Sequence, residues 1–76
     1  MYKVMLVDDD YPVLELLSEM IDWHGLGLTL QSVHENGESA LMEAKENMPD
    51  ILITDIGMPK LNGIELTRKL KEKTRI

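Results

Sequence analysis

The sequence predicts an α/β fold: a parallel sheet built in the order βαβαβα, with helices on both faces. Three observations predict it. The runs "KVMLV" (3–7) and "ILIT" (51–54) have strand length and no polar face. Segments with helical spacing of apolar residues separate and follow these runs. Gly, Pro and Asn punctuate the junctions, so the connections are short. Such alternation implies right-handed crossovers onto one sheet.

The elements follow in order. Lys3 to Val7 is bounded by acids and reads as a buried strand. "DDDYP" starts a helix, with Asp10 as candidate N-cap and Pro12 in the first turn. Val13, Leu14, Leu17, Met20, Ile21 and His24 recur at helical spacing through residues 12–24, and Gly25 and Gly27 end that helix. "LTLQSVH" (28–34) alternates, with Leu28, Leu30 and Ser32 on one face and Thr29, Gln31 and Val33 on the other; it reads as a more exposed strand. Asn36-Gly37 opens a second helix with Ala40, Leu41, Ala44 and Met48 on one stripe, closed by Pro49. Asp50 to Asp55 is the third strand. Asn62 caps a last helix with Glu65 as capping-box partner, and its apolar face is Ile64 (or Leu61), Leu66 and Leu70.

The bulk properties narrow the class. A chain of 76 residues makes one small domain, and chains this short bury only about 60 % of their unfolded surface. With 43 % hydrophobic and 29 % charged residues the composition is that of a globular chain. There is no cysteine, hence no disulfide or thiolate metal site. No apolar run approaches the roughly 20 residues of a membrane span, and "MYKVMLVDDD" lacks a signal-peptide core, so a cytoplasmic protein without membrane contact is expected.

The formal charge of −6 is unevenly spread. Residues 1–59 carry twelve acids against Lys3 and Lys45, net −10; residues 60–76 carry six basic residues against Glu65 and Glu72, net +4. An acidic body repels nucleic-acid phosphate, so no direct nucleic-acid contact is expected from this segment. The basic stretch reads as a solvated helix end. Trp23, Tyr2 and Tyr11 are too few for a base-stacking platform. The six Met read mostly as core packing, and His24 and His34 as ordinary surface or helix-end residues.

The acids carry the functional signal. Ligands of open parallel sheets sit beyond the carboxyl ends of the strands. The first strand ends in Asp8-Asp9-Asp10 and the third in Asp55. If those strands are neighbours, three or four carboxylates converge. Capping accounts for Asp10, but not for acids at two separate strand tips. Like charges held together need an offset, and a hard divalent cation with oxygen ligands supplies one. Mg²⁺ on Asp8 or Asp9 would hold a phosphoryl group beside Asp55, and carboxylates act as nucleophiles that form acyl phosphates. "IGMP" (56–59) is a loop whose Gly57 carbonyl lies within reach of such a metal.

Four stretches now carry a resemblance: "LVDDD", "ENGESAL", "PDILITDIGMP" and "LNGIEL". In order and spacing the chain resembles the receiver domain of a two-component response regulator along all 76 residues. The resemblance implies a flavodoxin-like (CheY-like) parallel sheet of strand order 2-1-3, truncated to βαβαβα, so that residues 1–76 form a partial receiver domain. It implies Asp55 as phospho-acceptor, and Asp8, Asp9, Asp55 and the Gly57 backbone carbonyl as ligands of Mg²⁺ (or Mn²⁺). It implies a histidine kinase as phosphoryl donor and an acceptor that is not an enzyme beyond self-catalysed phosphotransfer. "EMIDWHGLGL" further resembles receivers of AraC-type transcriptional regulators, whose output is a DNA-binding domain.

The family fold continues through strand order 2-1-3-4-5. The fourth-strand Ser/Thr and fifth-strand Lys that contact the phosphoryl group have no counterpart in this chain, and Lys60, Lys69, Lys71 and Lys73 do not match the Lys position. Asn62 stands where an acid is common, and Gly57 where larger residues are frequent. Order 2-1-3 leaves the third strand as an open apolar edge, which invites pairing with another chain. A homodimer, by strand or domain swapping, is therefore expected, and a self-associating module without phosphotransfer is the alternative reading. Two rivals explain less. A haloacid-dehalogenase-type enzyme uses an Asp-x-Asp like Asp8-Asp9-Asp10 but leaves Asp55 idle. A calcium loop starting at Asp8 places Pro12 and Val13 at its fifth and sixth positions, where a ligand and a glycine belong.

Overall fold

The computed structural model describes residues 1–55 and 62–73, with side chains through residue 69. The elements are β1 (Tyr2–Val7), α1 (Tyr11–Met20), a 3-10 turn (His24–Leu26), β2 (Leu28–His34), α2 (Gly37–Glu46), β3 (Ile51–Thr54) and α3 (Gly63–Lys73). The strands form one parallel sheet of order β2-β1-β3, as expected.

β1 is central, and its composition follows from that position. Val4, Met5, Leu6 and Val7 are at most 1 % exposed. A strand covered on both faces needs no polar alternation. Val4 and Leu6 join Leu14 and Trp23 in a cluster on the α1 side, with Leu17, Ile21, Leu28, Leu30 and Ile51 around it. Met5 and Val7 join Ala40, Ala44 and Leu66 on the α2–α3 side. The small alanines let α2 approach the sheet closely, and Leu41, Met48 and Leu52 close the flank.

Several local expectations change. α1 stops at Met20, not at residue 24, and the glycines do not end it. Ile21 turns extended (φ −86, ψ 127) while its N–H still donates to the Leu17 carbonyl. The turn-out carries Ile21 and Trp23 into the β1 cluster, which a continued helix would prevent. The Asp22 carboxylate accepts from the Gly25 N–H at 3.0 Å, and Gly27 closes the 3-10 turn at φ +78, where a side chain is strained. Asp10 occupies the N-cap position of α1, but its side chain makes no cap bond; its carbonyl accepts from Val13 and Leu14 N–H instead.

β2 has its expected span, but its faces do not. Register against β1 slips between Val4↔Leu30 and Met5↔Ser32, leaving Gln31 as an extra residue. The bulge reverses the alternation. Leu28 and Leu30 stay in the α1-side cluster, whereas Ser32 turns to α2. α2 ends at Glu46 with Asn47 as C-cap, short of Pro49. Asn36 and Asn62 cap α2 and α3 as expected, accepting from the N–H of Ser39 (2.8 Å) and Glu65 (2.9 Å). Ile64 is 54 % exposed, so Leu66 provides the core contact of α3; Leu61 and the Leu70 side chain lie outside the described residues. Met1, Met20 and Met42 are exposed, contrary to a packing role.

The edge of β3 remains. Among the described residues no strand pairs on its far side. Ile53, Leu16 and Met20 are exposed apolar residues on β3 and α1.

Truncating the α3 anchor tests this packing. Leu66→Ala is expected to lower unfolding free energy by about 2–5 kcal/mol in urea titrations, because its cavity opens between α2, α3 and β1. Ile64→Ala is expected to stay within about 0.5 kcal/mol of the parent.

Candidate functional site

The last ladder bonds of the sheet place the acids. Beyond β1, the Asp8 N–H donates to the His34 carbonyl of β2 at 3.0 Å. Beyond β3, the Asp55 N–H donates to the Val7 carbonyl of β1 at 2.9 Å. Asp8 and Asp55 therefore leave neighbouring strands at the same end of the sheet. Asp8 is half-buried, and one of its carboxylate oxygens accepts the Asp10 N–H at 2.9 Å. That bond turns the chain into α1 and orients the Asp8 side chain. Asp9 and Asp55 are exposed.

Asp8, Asp9 and Asp55 each offer a carboxylate oxygen, all within 4.8 Å of one another. Asp10 is outside this group, so three acids converge. The Gly57 carbonyl and the "IGMP" loop lie outside the described residues. A cavity of about 150 Å³ adjoins the acids, lined by Asp8 and Asp55 together with apolar Leu14, Leu17 and Ile53. An all-oxygen, anionic donor set of this kind suits a hard divalent cation and offers nothing to a soft one.

Beside the acids lies a polar network that the sequence reading missed. Glu43 of α2 faces the bulged end of β2. One of its oxygens accepts from Gln31 Nε2 (2.7 Å) and Ser32 Oγ (2.6 Å); the other lies 3.3 Å from His34 Nε2. His34 Nδ1 lies 3.0 Å from Ser39 Oγ. Gln31 Nε2 also donates to the Asn47 carbonyl at 2.8 Å, and Gln31 Oε1 is buried without a partner among the described residues. The amide is thus oriented by the carboxylate at the expense of its own oxygen. His34 is partly buried, not an ordinary surface residue. The signal lay in the bulge, because Ser32 and His34 reach Glu43 only once the alternation reverses.

Burial raises the Glu43 carboxyl, but the bonds from Ser32 and Gln31 and the adjacent His34 outweigh it and hold the group below its ordinary 4.5.

Residues 4–76 match the family model described as response regulator receiver domain. The transcriptional regulatory protein YesN of Bacillus subtilis is 37 % identical over 70 residues, covering 92 % of this chain and 19 % of that protein. The transcriptional regulatory protein CpxR of Klebsiella pneumoniae is 38 % identical over 72 residues, covering 95 % of this chain and 29 % of that protein. Among solved structures, the REC domain of AraT, a response regulator from Geobacillus stearothermophilus, superposes with a TM-score of 0.88 at 33 % identity, over 95 % of this chain and 56 % of that one. The CheX-CheY-BeF3-Mg+2 complex from Borrelia burgdorferi gives 0.79 at 27 % identity, over 95 % and 54 %. The chain thus spans well under two thirds of each. Among the described residues no helix is long and apolar enough to cross a membrane.

The lowered Glu43 carboxyl makes a pH prediction. A carboxyl depressed on folding stabilises the fold above its unfolded value and loses that contribution as pH falls through the folded one. Unfolding free energy measured from pH 7 to pH 3 is expected to fall less steeply below 4.5 in Glu43→Gln than in the parent, whose carboxylate must protonate.

Proposed function

Because the chain belongs to the response regulator receiver domain family, we propose that it accepts a phosphoryl group on Asp55 and so relays a signal from a histidine kinase. The observation that carries this reading is the convergence of Asp8, Asp9 and Asp55 within 4.8 Å at the carboxyl end of a parallel sheet. Residues 1–76 act as part of a receiver domain in this reading.

Asp55 is the nucleophile. One of its carboxylate oxygens attacks phosphorus in line, the bond from phosphorus to the donor imidazole breaks, and an acyl phosphate forms. Asp55 is consumed in the step, so the chain is a phospho-acceptor and not a turnover enzyme. Asp8, Asp9 and Asp55 would hold Mg²⁺ or Mn²⁺, with the Gly57 carbonyl as a further ligand. The metal supplies neutralising charge for the phosphoryl oxygens. Asp8 is suited to its part because the Asp10 N–H already holds one of its oxygens. Asp55 is suited to its part because β3 is a rigid mount that leaves its carboxylate exposed.

The output lies with the whole protein. YesN and CpxR are named as transcriptional regulatory proteins, and this chain is proposed to control such a DNA-binding output, from a cytoplasmic location, without itself touching nucleic acid. A second reading has its own observation, the β3 edge, along which no strand pairs among the described residues, with exposed Ile53. It supports a homodimer formed through that edge by strand pairing or domain swapping, as an interaction module.

Two measurements decide. Incubation with acetyl phosphate and Mg²⁺ is expected to add one phosphoryl mass to the intact chain, none to Asp55→Ala, and much less to Asp9→Asn. An unchanged mass in the parent removes the phospho-acceptor reading and leaves the interaction module. Light scattering at micromolar concentration is expected to give a dimer mass; a monomer mass refutes the edge pairing.

A further inference from the structure

The Glu43 network sits on the strand that holds the Asp8 backbone, and the phospho-acceptor reading makes no use of it. Glu43 is partly buried on α2, and its one carboxylate gathers three side chains of β2, those of Gln31, Ser32 and His34. Hydrogen bonds to a charged acceptor are roughly twice as strong as neutral ones. They converge on the bulge, the point where β2 departs from regular pairing and is least constrained by its ladder. The carbonyl of His34 accepts the Asp8 N–H. His34 is therefore a joint: its ring is tied to α2 through Glu43 and Ser39, and its backbone is tied to Asp8. Asp55 is placed differently, since its N–H is held by Val7 of β1 and β3 has no link to Glu43 among these bonds.

We infer that Glu43 is a positioning residue for the acid site, bracing the bulged end of β2 so that the His34 carbonyl fixes Asp8 relative to Asp55. It touches neither a metal nor a phosphoryl group; it acts through β2. As a brace on the Mg²⁺ site this rests on the phospho-acceptor reading, whereas the brace on the Asp8 backbone does not.

Residue-resolved amide hydrogen exchange tests the brace on the intact chain, with Mg²⁺ titration alongside. In Glu43→Ala the Asp8 amide is expected to exchange about tenfold faster, while the Asp55 amide, held from β1, stays within about twofold. Mg²⁺ affinity is expected to weaken about tenfold, the scale seen when outer partners of metal ligands are removed. Ser32→Ala removes one bond and leaves the carboxylate; it is expected to give a smaller acceleration at Asp8 alone, and it carries the test if Glu43→Ala does not fold. Equal acceleration at Asp8 and Asp55 reduces Glu43 to general stability and overturns the inference, as does an unchanged Asp8 amide. Unaltered Mg²⁺ affinity in Glu43→Ala, against clear binding by the parent, overturns the link to the site. A parent that binds no Mg²⁺ but shows the Asp8-selective exchange retains the brace and discards the metal reading.

Discussion

Val4 to Val7 are sealed from water on both faces, and the rest of the molecule is arranged around the need to keep them so. Fully burying such a side chain is worth about 1.5–3 kcal/mol, so four in succession make β1 the main apolar asset of a short chain. One helix layer covers only half of them. α1 and the Trp23 turn cover Val4 and Leu6; α2 and α3 cover Met5 and Val7. Parallel strands flank β1 on both edges because each crossover helix must return the chain to the same end of the sheet.

That arrangement also places the chemistry. In a parallel sheet all strands point one way, so the residue after β1 and the residue after β3 emerge together. Asp8 and Asp55 are far apart in sequence but one strand apart in space, each held by a backbone bond to the neighbouring strand. Their repulsion is sustained because the ladder below them is anchored in the two buried clusters. Among the described residues the same order leaves β3 as an edge strand, with Ile51 and Leu52 packed against the two clusters beside β1 and Ile53 exposed.

Much of this was legible in the sequence, and the misses share a cause. The three strands, the Asn caps of α2 and α3, and the acids at the strand tips each depend on residues within a few positions of one another. Helical spacing of Ile21 and His24 predicts a longer α1 than the one that ends at Met20; local periodicity does not reveal that Ile21 and Trp23 pack into the β1 cluster instead. Helical spacing likewise assigns Ile64 to the core, although among the described side chains of α3 it is Leu66 that is buried against β1 and Ile64 that is exposed. The Glu43 network was missed because it requires the Gln31 bulge, and a bulge is a relation between two strands rather than a property of one.

The sequence by itself determined the order βαβαβα and the acids that end the first and third strands, because hydrophobic period and capping chemistry act over short separations. Only the tertiary structure decided which carboxylates meet, which face Ser32 and His34 take, and where α1 gives way to a turn. Those outcomes are set by strand register and by competition for the buried faces of β1, both of which come into being only when the chain has packed.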